Sequence, residues 1–186
     1  MRNYPFLQQQ SLTHNGFSIV PIRDEDKYTI MHMRNDQLFH LRQQLPLTKQ
    51  KQDDYFAAII TSLFVQQQPK QVLFSFLQND ECIGYGGLVH INWVDKYAEI
   101  SFIIKPSLEK ELLDVSWQSF LDMIEQIAFA QMKLHKIFTY AFDMRPYLYP
   151  IIESCNFYKE AVLKEHCFFN DKFIDVVIHS KINNND

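Results

Sequence analysis

Tyr97-Ala98-Glu99-Ile100-Ser101-Phe102-Ile103-Ile104 is a short, largely apolar run with one acidic residue inside it, and Pro106 closes it. A run of this length and composition, bounded by a proline, reads as a buried strand. After it, Leu113, Trp117, Phe120, Leu121, Ile124 and Ala128 recur on one face of a helix predicted over residues 113–133. Lys136-Ile137-Phe138-Thr139-Tyr140-Ala141-Phe142 then reads as another strand. Two strands joined through one helix are expected to lie parallel and adjacent, because only a crossover returns the chain to the same end of the sheet. This β-α-β unit decides the fold class, α/β (α+β) with a mixed central sheet.

The remaining elements follow outward from that unit. Upstream, residues 72–77 and 82–93 read as strands linked by Gln78-Asn79-Asp80-Glu81, and the second holds Gly84, Gly86 and Gly87. Before them, Tyr55, Phe56, Ile59, Ile60, Leu63 and Phe64 mark one helical face, with Thr48 as its N-cap and Pro69 beyond its end. Asp24 is expected to cap a helix running towards Arg34, and a second short helical stretch is expected over 38–41. Residues 17–22 alternate as a first strand. Downstream, Pro146 suits the first turn of a helix carrying Ile151 and Ile152. Residues 158–167 and Lys172–Ile182 read as a hairpin turned by Asn170-Asp171. One domain over 1–186 is expected, with 1–15 and 183–186 peripheral.

Composition narrows the function classes. The formal net charge is −4 and there is no basic tract, so no nucleic-acid partner is expected. No apolar run reaches membrane-spanning length, and no leader-like segment precedes the first strand. Cys82, Cys155 and Cys167 are odd in number and lack metal-ligand spacing, which reads as reduced thiols in a cytoplasmic protein without a metal site. The chain holds 4 glycines, leaving little room for a glycine-rich phosphate loop.

Several segments, taken in order, resemble the GNAT acetyltransferase superfamily. They are Met33-Arg34-Asn35-Asp36, Leu41-Arg42-Gln43, Pro46-Leu47-Thr48, Ile83-Gly84-Tyr85-Gly86-Gly87-Leu88, Ala98-Glu99-Ile100-Ser101-Phe102, Leu134-His135-Lys136-Ile137, Asn156-Phe157 and the terminal hairpin. The resemblance runs over about 17–181 and is nearest to the branches that acetylate surface-polysaccharide amino sugars in bacteria and the N-termini of ribosomal proteins. It implies a splayed parallel strand pair, helices on both sheet faces, acetyl-CoA as co-substrate and a small-molecule amine as acceptor, with a homodimer as an option.

The same resemblance assigns roles. A backbone N–H of Phe102, Ile103 or Ile104 would meet the thioester oxygen. The pyrophosphate motif of the family aligns with Leu112-Leu113-Asp114-Val115-Ser116-Trp117, so the N–H groups of Val115, Ser116 and Trp117 are the cofactor candidates. Both glycine positions of the motif are bulky here and Asp114 adds a negative charge, so the alternatives are a differently shaped loop using Lys105 or Lys110, or a lost cofactor site. Arg145 stands where an Asn that contacts CoA is usual. The tyrosine that protonates the leaving thiolate in many members aligns with Ile152, and Tyr147 and Tyr149 are out of register.

Glu99 is the first candidate for general base, against the alternative of a salt-bridged sheet glutamate. His90 is the second, against a structural histidine. Asn92 is two residues on and is expected on the same face as His90, lining the acceptor cleft. Arg34, Asn35 and Arg42 are acceptor-binding candidates or surface ion pairs. The leading expectation is N-acetylation of a primary amine on an amino sugar or a nucleotide-linked amino sugar. Protein N-terminal acetylation and a catalytically silent binding module are the alternatives.

Overall fold

The computed structural model describes residues 2–41 and 43–184. Among these, the elements run β1 (Leu12–His14), β2 (Phe17–Pro21), α1 (Lys27–Asn35), α2 (Leu38–Leu41), α3 (Lys49–Tyr55), α4 (Thr61–Leu63), β3 (Val72–Gln78), β4 (Glu81–Asn92), β5 (Tyr97–Ile104), α5 (Pro106–Glu125), β6 (Lys136–Phe142), α6 (Tyr149–Ser154), β7 (Tyr158–Phe169) and β8 (Lys172–Ile182). The strands form one sheet in the order β1-β2-β3-β4-β5-β6-β8-β7. Every neighbouring pair is antiparallel except β5–β6, the pair joined by α5.

The two sheet faces carry different helices. Phe102 of β5 stacks on Phe120 of α5 with ring centroids 3.9 Å apart, and its edge meets Trp117 at 5.1 Å. Gly86 lies opposite Phe102 on β4. A Cβ there would press on the Ser101 carbonyl and come within 3.0 Å of the Phe120 ring, so the missing side chain is what lets α5 seat this closely. Fully burying a ring such as Phe120 contributes about 2–3 kcal/mol. Tyr85 and Ser101 point to the opposite face, where α1 and α3 close a cavity.

The structure departs from the expected boundaries in three places. Helix α5 starts at Pro106, two turns before residue 113, because Pro106 occupies the first helical turn without needing a donor. Asp24 pairs with Arg2 and leaves the entry to α1 without a side-chain cap; Thr48 does cap α3, its hydroxyl accepting from the Lys51 N–H at 3.2 Å. Residues 2–15 are not peripheral: Tyr4 is fully buried and its hydroxyl both donates to the Leu73 carbonyl and accepts from the Leu73 N–H, while Leu12–His14 adds a strand. At the other end, Asn183 N–H donates to the His135 carbonyl. No helix among the described residues is long and apolar enough to cross a membrane.

Candidate active site

The parallel ladder between β5 and β6 runs from Tyr97↔Lys136 to Ile100↔Thr139 and stops there. β6 continues along β8 as far as Phe142↔Val176, while β5 stays with β4 as far as Ile104↔Gly84. The two strands therefore diverge, and a cavity of about 200 Å³ opens between them. Its floor is Ile100, Phe102 and Thr139, and its wall on the α5–α6 side is Trp117, Leu148, Tyr149 and Ile152.

Backbone alternation decides which β5 groups face this wedge. Lys105 N–H donates to Ile83 of β4, and the Ile104 carbonyl is taken by the Gln37 side-chain amide at 3.0 Å on the other side. Odd positions on this stretch thus address β4 and even positions address the wedge. Phe102 N–H points into the wedge past the last ladder pair, as does Ile104 N–H. Ile103 does not: its N–H belongs to the β4 ladder, which corrects one of the three oxyanion candidates.

Glu99 and His90, read from the sequence as separate base candidates, form one pair. His90 Nδ1 lies 2.8 Å from Glu99 Oε2, across the β4–β5 boundary. A bulge between Val89 and Asn92 makes this possible, with His90 at φ +50°. The bulge also removes Asn92 from the cleft. Its Oδ1 accepts from the Val94 and Asp95 N–H groups and its Nδ2 donates to Asp95, so it shapes the hairpin turn. Glu99 lines both the wedge and an open cavity on the α1–α4 face, where His90 and Lys70 also stand.

Beside it lies a cavity of about 410 Å³ under α1 and α3, lined by Arg34, Lys51, Gln52, Tyr55, Gln71, Tyr85 and Ser101 over an apolar floor. Ser101 borders this cavity, the open one and the wedge, so the three meet at the same point of β5. Arg34 donates to Tyr85 Oη at 2.6 Å and to Gln43 Oε1 at 3.1 Å, and no described carboxylate pairs with it. Asn35 is a clamp rather than a binding group: its Nδ2 donates to the Leu47 carbonyl, and its Oδ1 accepts from Leu47 N–H and Gln43. Arg42 lies outside the described residues.

The cofactor-helix candidates are corrected most. Val115, Ser116 and Trp117 sit inside α5, where their N–H groups serve the helix. Ser116 is buried with no side-chain partner, and Trp117 packs on Phe102. Arg145 is also committed. It is buried, donates to Glu109 Oε1 at 2.6 Å and to Tyr147 Oη at 2.9 Å, and approaches His40 Nε2 at 3.2 Å. Burial, with the Arg145 charge second, pushes His40 down to about 4. Lys105 is held by Glu81 at 2.5 Å; Lys110 borders an open cavity beside Tyr147.

A side chain missed from the sequence is Tyr149, which reaches the wedge wall although its sequence position is out of register. Its hydroxyl donates to Asp143 Oδ1 at 2.8 Å, and burial followed by that carboxylate raises its pKa. Thr139 was also missed. It is buried at the wedge floor, and its Oγ1 has no hydrogen-bond partner. A wedge with an inward backbone N–H and an unpartnered hydroxyl fits a thioester arm: Phe102 and Thr139 would hold its reacting end, and Lys110, near the start of α5, has no ion pair among the described residues.

A family model described as an acetyltransferase (GNAT) domain matches residues 19–178. Among solved structures, the chain is similar to spermidine N-acetyltransferase from Vibrio cholerae in complex with CoA and spermine, at 20% identity and a TM-score of 0.76, covering 91% of this chain and 96% of that one. It is similar also to the dodecameric form of spermidine N-acetyltransferase from Vibrio cholerae in an intermediate state, at 19% identity and a TM-score of 0.72, covering 91% and 95%. No curated protein sequence matches the chain.

Proposed function

This chain belongs to the acetyltransferase (GNAT) domain family and is an acetyl-CoA-dependent N-acetyltransferase, and from that premise we propose that its acceptor is a small molecule carrying both a primary amine and an anionic group, as a nucleotide-linked amino sugar does. The observation that carries this reading is the charge of the 410 Å³ cavity: Arg34 and Lys51 line it and, among the described residues, no carboxylate does. Arg34 keeps its position through neutral partners, so its charge is available to a ligand anion. A polyamine brings only cationic groups and meets like charge there. The spermine in the similar structure belongs to that protein. A protein N-terminus is less well served, because no described carboxylate lines the cavity to make an acidic groove.

The chemistry follows from the placement of the cavities. Acetyl-CoA supplies an acyl carbon already activated as a thioester. Phe102 N–H is aimed where negative charge gathers on the acyl oxygen. An acceptor anchored at Arg34 presents its amine past Ser101, beside Glu99. Glu99 takes a proton from the amine and His90, largely exposed, passes it to water.

The test is a thiol-release assay with acetyl-CoA and four acceptors: a nucleotide-linked amino sugar, the free amino sugar, spermidine and a short peptide. The nucleotide-linked amine is expected to lead spermidine in kcat/KM by about tenfold or more, one ion-pair contact being about 1.4 kcal/mol or better. Arg34→Gln should raise KM for the anionic acceptor and lower it for spermidine, by removing the like charge. A preference for spermidine that survives Arg34→Gln would overturn the reading.

A further inference from the structure

The wedge has two faces, and the base lies on one of them. Glu99 and His90 stand on the α1–α4 face, where the amine arrives. The departing sulfur needs a proton on the α5–α6 face. Tyr149 is poorly placed to give one, because its O–H already donates to Asp143. Thr139 is different. It is the last β6 residue in the parallel ladder, it is buried, and Oγ1 has no partner.

Directly opposite Thr139 on β8 is His179. Facing residues of an antiparallel pair put their side chains on the same side of the sheet, within reach of one another. His179 is fully buried and its Nδ1 likewise has no partner. Its Nε2 lies 3.2 Å from Glu153 Oε1 of α6, and Glu153 is half exposed. Two buried orphan polar atoms on facing residues are costly, and since no direct hydrogen bond joins Thr139 Oγ1 to His179 Nδ1, a bridging water is the way they serve one another. The other groups around His179 are the Tyr149 ring at 5.0 Å, Lys159 opposite it on β7, and the Lys181–Glu125 ion pair two residues along β8.

We propose that Thr139 hands a proton to the departing thiolate and that His179, held by Glu153, recharges it. This rests on the acetyl-transfer reading above. With Nε2–H held on the Glu153 carboxylate, Nδ1 is the position that gains and loses a proton. As the C–S bond breaks, its electron pair stays on sulfur. The Thr139 O–H bond breaks and an S–H bond forms. The imidazolium Nδ1–H passes its proton through the bridging water to Oγ1, restoring the hydroxyl and leaving a neutral imidazole. After the thiol leaves, water in the wedge returns a proton to Nδ1 through the same hydroxyl. Thr139 is then a catalytic residue, and His179 a positioning residue that acts through it.

Two measurements test the relay. In protein labelled with 15N-histidine and free of ligand, Thr139→Val should shift the His179 Nδ1 resonance while leaving those of His14 and His135 in place. In turnover, Thr139→Val should lower kcat by about 100-fold with KM for acetyl-CoA nearly unchanged, and Thr139→Ser should restore it. A Thr139→Val protein with unmoved nitrogen shifts and unaltered kcat would overturn the proposal. If the unaltered protein releases no thiol with any amine, the acetyl-transfer reading fails by itself, and the nitrogen shifts decide alone whether Thr139 and His179 share a proton.

Discussion

His90 Nδ1 and Glu99 Oε2 are 2.8 Å apart, joining an exposed imidazole to a carboxylate that is only 20% exposed. On the reading proposed above, the bond gives Glu99 and His90 a path from the inner end of the acceptor cavity to water. Neither residue has that property without the other. Glu99 reaches the wedge but has little solvent, and His90 has solvent but does not line the wedge.

Glu99→Gln should therefore lower kcat by about 100-fold, the usual worth of one general base. His90→Gln should cost less than Glu99→Gln, because Glu99 can still pass its proton to water. The double variant should be little worse than Glu99→Gln, because groups acting as one unit are not additive. Steady-state rates against pH for the three variants check this. Additive losses would mean the two residues act separately.

His40 carries a stability signature. Its ordinary pKa of 6.5 applies to the unfolded chain, and burial with Arg145 beside it brings the folded value to about 4. Between those values the unfolded chain binds more protons than the folded one. The stability that depends on neutral His40 is thus complete above pH 6.5, is lost as pH falls towards about 4, and changes no further below that. His40→Gln should flatten this window in denaturant midpoints measured across pH, and an unchanged slope would refute the assignment.

The Phe102–Phe120 stack holds α5 against the sheet. Phe120→Ala should cost about 3–5 kcal/mol, from lost burial and the cavity left behind. Gly86→Ala should be destabilising for the opposite reason, since its Cβ has no room between Ser101 and Phe120. Urea unfolding with m held constant measures both.

Much of this architecture was legible because its signals are local. The apolar spacing of Trp117, Phe120, Leu121 and Ile124 marks a helix wherever it occurs, and the run Tyr97–Ile104 marks a strand. The onset of α5 was not legible. An alignment placed a phosphate loop at 112–117, while Pro106 was already able to start the helix. Tyr4 was overlooked because a single buried ring next to a three-residue strand has no periodicity to detect.

By itself, the sequence determined the order of the elements, the crossover that makes β5 and β6 parallel, and Glu99 as the acid set in an apolar strand. Only the tertiary structure decided which groups meet. A bulge of one residue at His90 reverses which face the following residues take, so it brought His90 to Glu99 and turned Asn92 away. The register of β6 against β8 set Thr139 opposite His179, 40 residues along the chain from it. Such pairings depend on how distant strands align, and the energy that selects an alignment comes from the packing of the whole sheet, which no local stretch of sequence contains.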